Sequence, residues 1–303
     1  MTGICDDRVV IVTGAGRGIG RAHALAFAHQ GAKVVVNDLG SEVDGSGGST
    51  GPAGEVVEEI RAMGGEAVAN GDDVSDWDGA KRLVTTAVEA FGRLDTLVNN
   101  AGILRDRMLV NMAEGEWDAV VQVHLKGTFA PTRWAAAHWR ELAKEGQQVD
   151  ASIVNTSSGS GLYGNPGQTN YGAAKAGIAS LTIIASRELE RYGVRVNAIA
   201  PAALTRMTEN LGLAQISGDR KAEEFDAMAP ENVAPLVVWL GSNESTGITG
   251  RVFNVAGGRI SVAEGWSRGP EVDKGDRWDP AELTAVVPAL VAKARPPAGM
   301  FGE

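Results

Sequence analysis

Short runs of β-branched and other apolar residues alternate along the chain with longer segments whose apolar residues recur at helical spacing. Each run is four to six residues long and almost continuously apolar, as in strands buried on both faces of a parallel sheet. Because strands and helices alternate, the pattern predicts an α/β fold with a doubly wound, seven-stranded parallel sheet of the Rossmann type. The predicted strands span residues 9–13, 33–38, 67–70, 94–99, 152–156, 194–199 and 252–255.

A glycine-rich run, TGAGRGIG over residues 13–20, follows the first predicted strand directly. Its spacing is G-x-x-x-G-x-G through Gly14, Gly18 and Gly20, which departs from the strict G-x-G-x-x-G fingerprint because position 19 is Ile. Glycines in a turn from strand to helix let a pyrophosphate approach the N-terminus of the helix. A tight turn without a ligand is the alternative interpretation of the motif alone.

The second predicted strand ends in Asp38, 18 residues after Gly20. A carboxylate at that position can bind a ribose diol, and its charge repels the 2′-phosphate of NADP. Arg17 favours NADP instead, because a cation in the glycine loop can neutralise that phosphate. We expect the desolvated like-charge contact to outweigh a flexible surface arginine, so NAD is the predicted cofactor and NADP is less favoured. A solvated turn residue is the alternative interpretation of Asp38.

No segment between residue 1 and about residue 260 has the composition of a linker between two cores. We therefore expect one dinucleotide-binding and catalytic domain over residues 1–260. Residues 261–303 are rich in Gly, Pro, Arg and Trp, and we expect a C-terminal extension that contains one helix and is not a separate domain. It either covers a neighbouring subunit's active site or packs on its own surface. The Gly-, Ser- and Asp-rich insertion over residues 40–54 is expected to be a mobile loop near the adenosine end, with an inert linker as the favoured alternative.

Composition and charge exclude several classes of function. The chain has 303 residues, 44% of them hydrophobic, and a net charge of −10, so we expect neither a nucleic acid nor a membrane as partner. Cys5 is the only cysteine, and the histidines are too scattered for a metal site, which favours a reducing compartment without a metal. We expect a cytoplasmic protein, because no leader segment and no apolar run of bilayer length is present. The four histidines are His23, His29, His124 and His138.

A phenol and an ammonium lie four residues apart in the helical segment that contains Tyr171 and Lys175. Oxidation of a secondary alcohol requires a base for the hydroxyl proton while hydride leaves the carbon. The pKa of a free phenol is about 10, and we expect the Lys175 ammonium and a positive nicotinamide ring to lower that of Tyr171. Ser158, at the end of a predicted strand, can donate to the substrate oxygen and orient it. Surface residues of an ordinary helix are the alternative.

These motifs, in this order, resemble the short-chain dehydrogenase/reductase family over roughly residues 5–260. Shorter runs also resemble the 3-hydroxyacyl-CoA dehydrogenase part of the multifunctional β-oxidation enzyme type 2, a subgroup that includes enzymes assigned to 17β-hydroxysteroids. The first resemblance rests on residues 13–20, 73–74, 99–102, Ser158, Tyr171, Lys175 and Pro201, and the second on residues 36–40, 102–107, 123–125, 163–168 and 228–240.

The resemblance implies where the cofactor binds. Asp73 and Val74 would border the adenine, the segment 99–102 would pass under the ribose, and Pro201 with its neighbours would lie beside the nicotinamide amide. Ala202 stands where many members have Gly, which weakens the last of these assignments. The expected cofactor-binding residues are Gly14, Arg17, Gly18, Ile19, Gly20, Asp38, Asp73, Val74, Asn99, Ala101, Gly102, Tyr171, Lys175, Pro201, Ala203 and Thr205.

The chain departs from the wider family at His124, where most members have Asn. That Asn bends its helix through a bound water and continues a proton relay from the lysine. His124, in a predicted helix over residues 116–125, can hold the same water as a fourth catalytic residue. With a reference pKa of about 6.5 it would make the relay sensitive to pH, so His124→Asn is expected to move the acidic limb of the pH profile. A core histidine bonded to a carbonyl is the alternative.

Two further segments bear on partners and substrate. Trp134 and Trp139, on a predicted helix over residues 128–143, indicate a packing or subunit face. The resemblance implies a homodimer or homotetramer built on this helix and the Tyr171 helix. Apolar residues over 204–228 are consistent with a flexible lid over a bulky acyl or steroid group, with ordinary core packing as the alternative.

Three functions remain open. The preferred one is NAD-dependent oxidation of a 3-hydroxyacyl-CoA, and a steroid side chain is one candidate for its acyl group. Three arginines, Arg105, Arg107 and Arg206, are available as cationic contacts for CoA. The second is oxidation of a free hydroxysteroid or another secondary alcohol on the same fold. The third is a non-catalytic nucleotide-binding scaffold, against which the intact Ser158, Tyr171 and Lys175 argue.

Overall fold

One eight-stranded sheet forms the centre of the protein in the computed structural model, which describes residues 3–48, 51–204, 225–299 and 302. The strand order is β3-β2-β1-β4-β5-β6-β7-β8, in which the first seven strands are parallel and β8 is antiparallel to β7. The strands are β1 (Val9–Thr13), β2 (Lys33–Asn37), β3 (Ala67–Asn70), β4 (Thr96–Asn99), β5 (Ala151–Thr156), β6 (Val194–Ala202), β7 (Val252–Ala256) and β8 (Arg259–Val262).

The seven predicted parallel strands are confirmed, and the doubly wound fold with them. The sequence analysis missed β8, which pairs with β7 through a turn at Gly257, whose φ of +53° suits glycine. All four residues of β8 are exposed, so the strand has no apolar pattern that predicts burial. Strand β8 continues to Val262, two residues beyond the boundary expected at residue 260.

Helices cover both faces of the sheet, because alternate residues of each strand point to opposite faces. In β1, Val10 and Val12 pack in a core that includes α1, α2 and α8, whereas Val9 and Ile11 pack in a second core that includes α3, α5 and α7. Among the described residues, no helix has the length and apolarity needed to cross a membrane. The helices are α1 (Gly18–His29), α2 (Gly51–Ala62), α3 (Trp77–Phe91), α4 (Glu114–Val121), α5 (Gly127–Lys144), α6 (Gly159–Leu162), α7 (Thr169–Leu189), α8 (Ala234–Gly241) and α9 (Leu283–Val291).

The strand order reverses between β1 and β4, and this reversal creates the crevice of the fold. The chain leaves β1 toward β2 on one side of the sheet centre, and later enters β4 on the other side. A ligand of such a sheet binds at this switch point, beyond the carboxyl ends of the strands. The glycine-rich run after β1 and the segment after β4 therefore form the two walls of the crevice.

The insertion after β2 is shorter than the composition indicated, and part of it is held in place. Its last residues belong to α2, which begins at Gly51 and has Pro52 in its first turn, where proline is well tolerated. The remainder forms a turn in which the Glu42 backbone N–H donates to Ser46 O at 2.8 Å. The Leu104 backbone N–H donates to Val43 O at 2.9 Å, so the turn contacts the segment after β4 and is more than an inert linker.

Candidate active site

The glycine-rich run makes a turn that only glycine fits at two of its positions. Gly14 has a φ of +61°, and a Cβ there would lie 2.8 Å from Ala101 Cα. A Cβ on Gly20 would lie 2.1 Å from Gly14 O. Helix α1 begins at Gly18, its N-cap residue Arg17 makes no side-chain capping bond, and no acidic residue lies in its first turn. The N-terminus of α1 therefore offers free N–H groups and a positive dipole end to a phosphate.

Two residues that the sequence analysis missed, Thr13 and Asn100, join the walls of this crevice. The Thr13 hydroxyl oxygen accepts from the backbone N–H groups of Asn100, at 2.9 Å, and Ala101, at 3.1 Å. In return, Asn100 Nδ2 donates to Thr13 O at 3.0 Å and Gly14 O at 3.2 Å. Thr13 ends β1 and Asn100 follows β4, and both lie in runs that carry the family resemblance, which were the signals available in the sequence. These bonds hold the segment 99–102 against the glycine loop, as its expected place under a ribose requires.

Asp38 lies beside the glycine loop at the end of β2. Its Oδ2 accepts from the Gly16 backbone N–H and its Oδ1 from the Gly40 backbone N–H, both at 2.7 Å. A Cβ on Gly16 would lie 2.8 Å from that same Oδ2, so the close approach also requires glycine at position 16. Each carboxylate oxygen keeps a second lone pair, and both are therefore available to the hydroxyls of a ribose.

Asp73 and Val74 follow β3 on the same edge of the sheet. Asp73 Oδ1 accepts from the Ser75 backbone N–H at 2.7 Å and from the Ser75 hydroxyl at 2.8 Å, which fixes the turn into α3. Val74 is buried, and a Cβ on Gly127 would lie 2.9 Å from its Cγ2. This packing holds the turn after β3 against the start of α5.

Asn99 makes side-chain contacts within the sheet. Its Nδ2 donates to Thr132 Oγ1 at 3.0 Å and to Asn155 Oδ1 at 2.9 Å. Asn155 Nδ2 then donates to Thr182 Oγ1 at 2.9 Å. This buried row of polar groups joins β4 and β5 to α5 and α7.

Ser158, Tyr171 and Lys175 come together where β5 ends and α7 begins. Lys175 Nζ lies 5.5 Å from the centre of the Tyr171 ring and donates to Thr156 O at 2.6 Å. A hydrogen bond between the Ser158 and Tyr171 side chains lowers the pKa of the phenol. The Ser157 hydroxyl donates to Lys175 O at 2.9 Å, so the end of β5 is also joined to α7.

The pKa of Tyr171 corrects one expectation. Burial raises this pKa, the hydrogen bond with Ser158 lowers it, and the charge of Asp106, the smallest of the three influences, raises it; together they raise the pKa of Tyr171 to about 12. Burial also lowers the pKa of Lys175 to about 7. In the protein without a cofactor, Lys175 therefore does not lower the pKa of the phenol as expected. The reason is that the same desolvation disfavours both the charged phenolate and the charged ammonium.

His124 lies against Tyr171 in a π-helical turn, Gln122–Lys126, which interrupts the single helix predicted over residues 116–125. The two rings meet edge to face, with centres 5.0 Å apart. His124 Nε2 lies 2.7 Å from Ile103 O, and Nδ1 is buried without a hydrogen-bond partner among the described residues. With the proton on Nε2, Nδ1 is an acceptor that a water molecule in the π-helical turn can satisfy.

The protonation state of His124 differs from what its residue type led us to expect. Burial lowers its pKa to about 3, and the nearby charge of Lys175 contributes in the same direction. The imidazole is therefore neutral at every pH at which the protein is expected to work. This pKa does not favour the expected pH-sensitive relay, and the contact with Ile103 O is the one that the alternative interpretation, a core histidine bonded to a carbonyl, described.

Pro201 and Ala203 lie at the end of β6 and just beyond it. Pro201 pairs with Val255 in the sheet, and Ala203 is buried. The Leu204 backbone N–H donates to Met228 O at 2.7 Å, which brings together the two ends of the predicted lid. Thr205 and Arg206 lie outside the described residues, as does the predicted lid from residue 205 to residue 224.

Two of the three arginines expected as contacts for CoA, Arg105 and Arg107, bind other groups of the protein. Arg105 Nε donates to Asp44 O at 2.8 Å, and its Nη1 donates to Gly115 O at 3.3 Å. Arg107 pairs with Glu116 at 3.2 Å and is mostly exposed. Arg105 therefore ties the insertion turn to α4, while Arg107 remains at the surface.

A third residue that the sequence analysis missed, Asn170, positions Tyr171. Its Nδ2 donates to Arg105 O at 3.0 Å and to Glu116 O at 3.1 Å. Its Oδ1 accepts from the Tyr171 backbone N–H at 2.8 Å. Asn170 is fully buried, and it joins the segment after β4 and helix α4 to the start of α7.

Comparison with known proteins identifies the family. The model of the family described as short chain dehydrogenase matches residues 8–215. The hydroxyacyl-CoA dehydrogenase ChsB1 of Mycobacterium tuberculosis is 46% identical, with 92% of this chain and 87% of that protein covered. The peroxisomal multifunctional enzyme type 2 of Mus musculus is also 46% identical over 87% of this chain, but this chain spans only 33% of its length. A crystal structure of a short chain dehydrogenase from Mycobacterium avium is 60% identical, has a TM-score of 0.88, and covers 99% of this chain and 100% of its own.

We expect His124→Asn to retain most of the activity toward a secondary alcohol and to leave the acidic limb of the pH profile in place. The reason is that the imidazole is neutral across the working range, with a pKa of about 3, so the substitution removes no charge. The measurement is kcat/KM against pH for both proteins. His29→Asn, at an exposed position of α1, is the control. If the acidic limb of the profile moves in His124→Asn but not in His29→Asn, the His124 imidazole titrates in the working range and this prediction is wrong.

Proposed function

Because the chain belongs to the short-chain dehydrogenase family, we propose that it catalyses the NAD-dependent oxidation of a 3-hydroxyacyl-CoA to the 3-ketoacyl-CoA. The observation that carries this proposal is the convergence of Ser158, Tyr171 and Lys175 at the carboxyl end of β5, beside the crevice of the glycine loop. A proton acceptor and a donor to the substrate oxygen are thus present on one side of a nucleotide-binding crevice.

Each of the three side chains has one role in the proposed reaction. A bound NAD would accept the hydride from the alcohol carbon. Tyr171 removes the hydroxyl proton, and Ser158 donates to the same oxygen and orients it. Lys175 lies near enough to the Tyr171 ring to favour the phenolate whenever its own ammonium is charged.

The residues that would hold the dinucleotide fit such a group. The uncapped N-terminus of α1 suits a pyrophosphate, and the paired N–H contacts of Asp38 hold its carboxylate where a ribose diol can bind. We assign the adenine to the rim at Asp73 and Val74, the ribose to the segment 99–102, and the nicotinamide amide to the chain beyond β6, which includes Pro201 and Ala203.

The choice of a 3-hydroxyacyl-CoA as substrate is supported by relatives. One similar protein, of which this chain covers 87%, is called a hydroxyacyl-CoA dehydrogenase. A 3-oxoacyl-[acyl-carrier-protein] reductase from Thermotoga maritima, 39% identical with 98% of its length covered, is also named for an acyl thioester. Both names describe an oxygenated acyl thioester, so we prefer this class over a free hydroxysteroid.

We expect the protein to reduce NAD in the presence of a 3-hydroxyacyl-CoA, and Tyr171→Phe to lower kcat by about 100- to 10,000-fold, because the variant lacks the proton acceptor. The measurement is NADH absorbance, and cofactor binding is followed separately by fluorescence. Tyr192→Phe, beyond α7 and bonded to Arg191, is the control.

The outcomes of this assay separate the candidate functions. Turnover of a 17β-hydroxysteroid alone would replace the thioester with a free secondary alcohol as the substrate. Tight binding of NAD without turnover of either compound would support a nucleotide-binding scaffold. Equal activity of Tyr171→Phe and the unchanged protein would remove Tyr171 as the base.

The preference for NAD rests on Asp38. Its carboxylate lies within the glycine loop, at 2.7 Å from the Gly16 nitrogen, and this position leaves little room for water between it and an added 2′-phosphate. Two negative charges in such a place repel each other strongly. Arg17 is exposed, and a solvated cation compensates only weakly.

We expect Asp38→Asn to lower the ratio of kcat/KM for NAD to that for NADP by roughly tenfold to a hundredfold, because it removes the repelling charge. Steady-state kinetics with both cofactors provide the ratio. Asp44→Asn removes the same charge from the exposed insertion turn and serves as the control. An unchanged ratio in Asp38→Asn would assign the cofactor preference to other residues.

We also propose a homodimer or homotetramer built on α5 and α7. Trp139 of α5 lies in the core, with its Nε1 donating to Leu94 O at 2.6 Å. By contrast, Phe129 and Trp77 remain exposed and form an aromatic cluster with Trp134. The Arg133 guanidinium lies over Trp134, 4.0 Å from the ring centre. Exposed aromatic residues with an arginine are typical of protein interfaces.

We expect Phe129→Glu to dissociate the oligomer, because it would bury a charge in the proposed interface. Light scattering at micromolar concentration measures the mass. The control is Met63→Glu, since Met63 lies just after α2 and is exposed to a similar extent, 46% against 44% for Phe129. A monomer mass for the unchanged protein would contradict the proposal.

A further inference from the structure

One carboxyl group beside the proposed site has no assigned role. Asp106 lies in the segment after β4, and its Oδ2 accepts from Gln168 Nε2 at 2.7 Å. Its Oδ1 is buried and has no hydrogen-bond partner among the described residues. A buried carboxylate oxygen without a partner is costly, so its retention next to reacting groups points to a function.

The partner of Asp106 connects it to the serine of the site. Gln168 is buried and directly precedes α7. Its Oε1 accepts from Ser160 Oγ at 2.7 Å and from Asn165 Nδ2 at 2.9 Å. The Ser160 backbone N–H donates to Ser158 Oγ at 3.2 Å. Hydrogen bonds thus run from the Asp106 carboxylate through Gln168 and Ser160 to Ser158.

The charge of Asp106 is not neutralised by its neighbours in sequence. Arg105 donates to two backbone carbonyls and Arg107 pairs with Glu116. Burial raises the pKa of Asp106, while the bond from Gln168 opposes that rise. No arginine or lysine in the described part of the chain forms a salt bridge with this carboxylate.

Three polar groups lie against the Tyr171 side chain from the described elements packed around it: the Ser158 hydroxyl, the His124 imidazole and the Lys175 ammonium on the same helix. The Asp106 carboxylate, which is joined to Ser158 through Gln168 and Ser160, completes the set because its charge acts on the phenol. His124 is neutral because of its burial, and a serine hydroxyl is uncharged. Asp106 is therefore the only negative charge in this set, and it acts against a second negative charge on the phenol.

We propose that Asp106 is a positioning residue of this site, which anchors Gln168 and, through its charge, holds the proton on the Tyr171 hydroxyl. The inference rests on the proposed function, in which Tyr171 exchanges that proton with the substrate oxygen. Because of the Asp106 charge, the Tyr171 hydroxyl keeps its proton up to a higher pH than it would with its other contacts alone. It can therefore donate that proton to a ketone over a wider range of pH.

Asp106→Asn tests the role of the charge, because the asparagine amide oxygen still accepts from Gln168 while the negative charge is removed. We expect the limb of the pH profile that reports Tyr171 to move to lower pH by about one unit, in alcohol oxidation and in ketone reduction alike. Asp106→Glu retains the charge and is expected to keep the limb near its original pH. Glu114→Gln removes a charge from the exposed start of α4 and is expected to leave the limb in place.

A second measurement does not depend on turnover. The chain has only three tyrosines, so the phenolate absorbance of Tyr171 can be isolated. It is the difference between the pH titration of each protein and that of the same protein with Tyr171→Phe. The titration is limited to the pH range in which circular dichroism shows a folded chain. We expect the Tyr171 signal to rise at a lower pH in Asp106→Asn than in the unchanged protein. Identical titrations, or an equal limb in the kinetic profiles, would overturn the proposal. Absence of turnover in the unchanged protein would count against the proposed function alone.

Discussion

The close approach of the glycine loop to the segment after β4 is the constraint on which the site depends. A methyl group on Gly14 would lie 2.8 Å from Ala101 Cα, and Thr13 and Asn100 exchange hydrogen bonds across the same gap. These contacts place the end of β1 beside the end of β4, where the strand order reverses. The crevice for a dinucleotide is therefore a product of backbone contact, and small residues are needed at its base.

Desolvation explains the electrostatics of the site. Burial raises the pKa of Tyr171 to about 12, lowers that of Lys175 to about 7 and lowers that of His124 to about 3. All three shifts favour the neutral form, as expected where water is excluded. The phenol is therefore held as an acid by its surroundings, and it becomes a base only when positive charge is brought close to it.

The sequence predicted those features whose cause is local. Buried parallel strands are continuous apolar runs, and the glycine loop, Asp38 and the pair of Tyr171 and Lys175 depend on spacing along one or two elements, so they could be found. The bond between Asp106 and Gln168 joins residues that meet only after folding, whereas β8 was missed because it is a short, fully exposed strand. The pKa of His124 was misjudged because a residue type does not reveal how deeply its side chain will be buried.

The segment after β4 explains why the two halves of the site act together. Its residues 99–102 lie against the glycine loop, the Ile103 backbone is hydrogen-bonded to His124 Nε2, and Asp106 holds Gln168 at the start of α7. Asn170 is bonded to the same segment at Arg105. One continuous stretch of backbone thus contacts the proposed cofactor crevice and the helix that carries the proton donor. Its hydrogen bonds to both sides therefore help to fix the position of Tyr171 relative to the crevice.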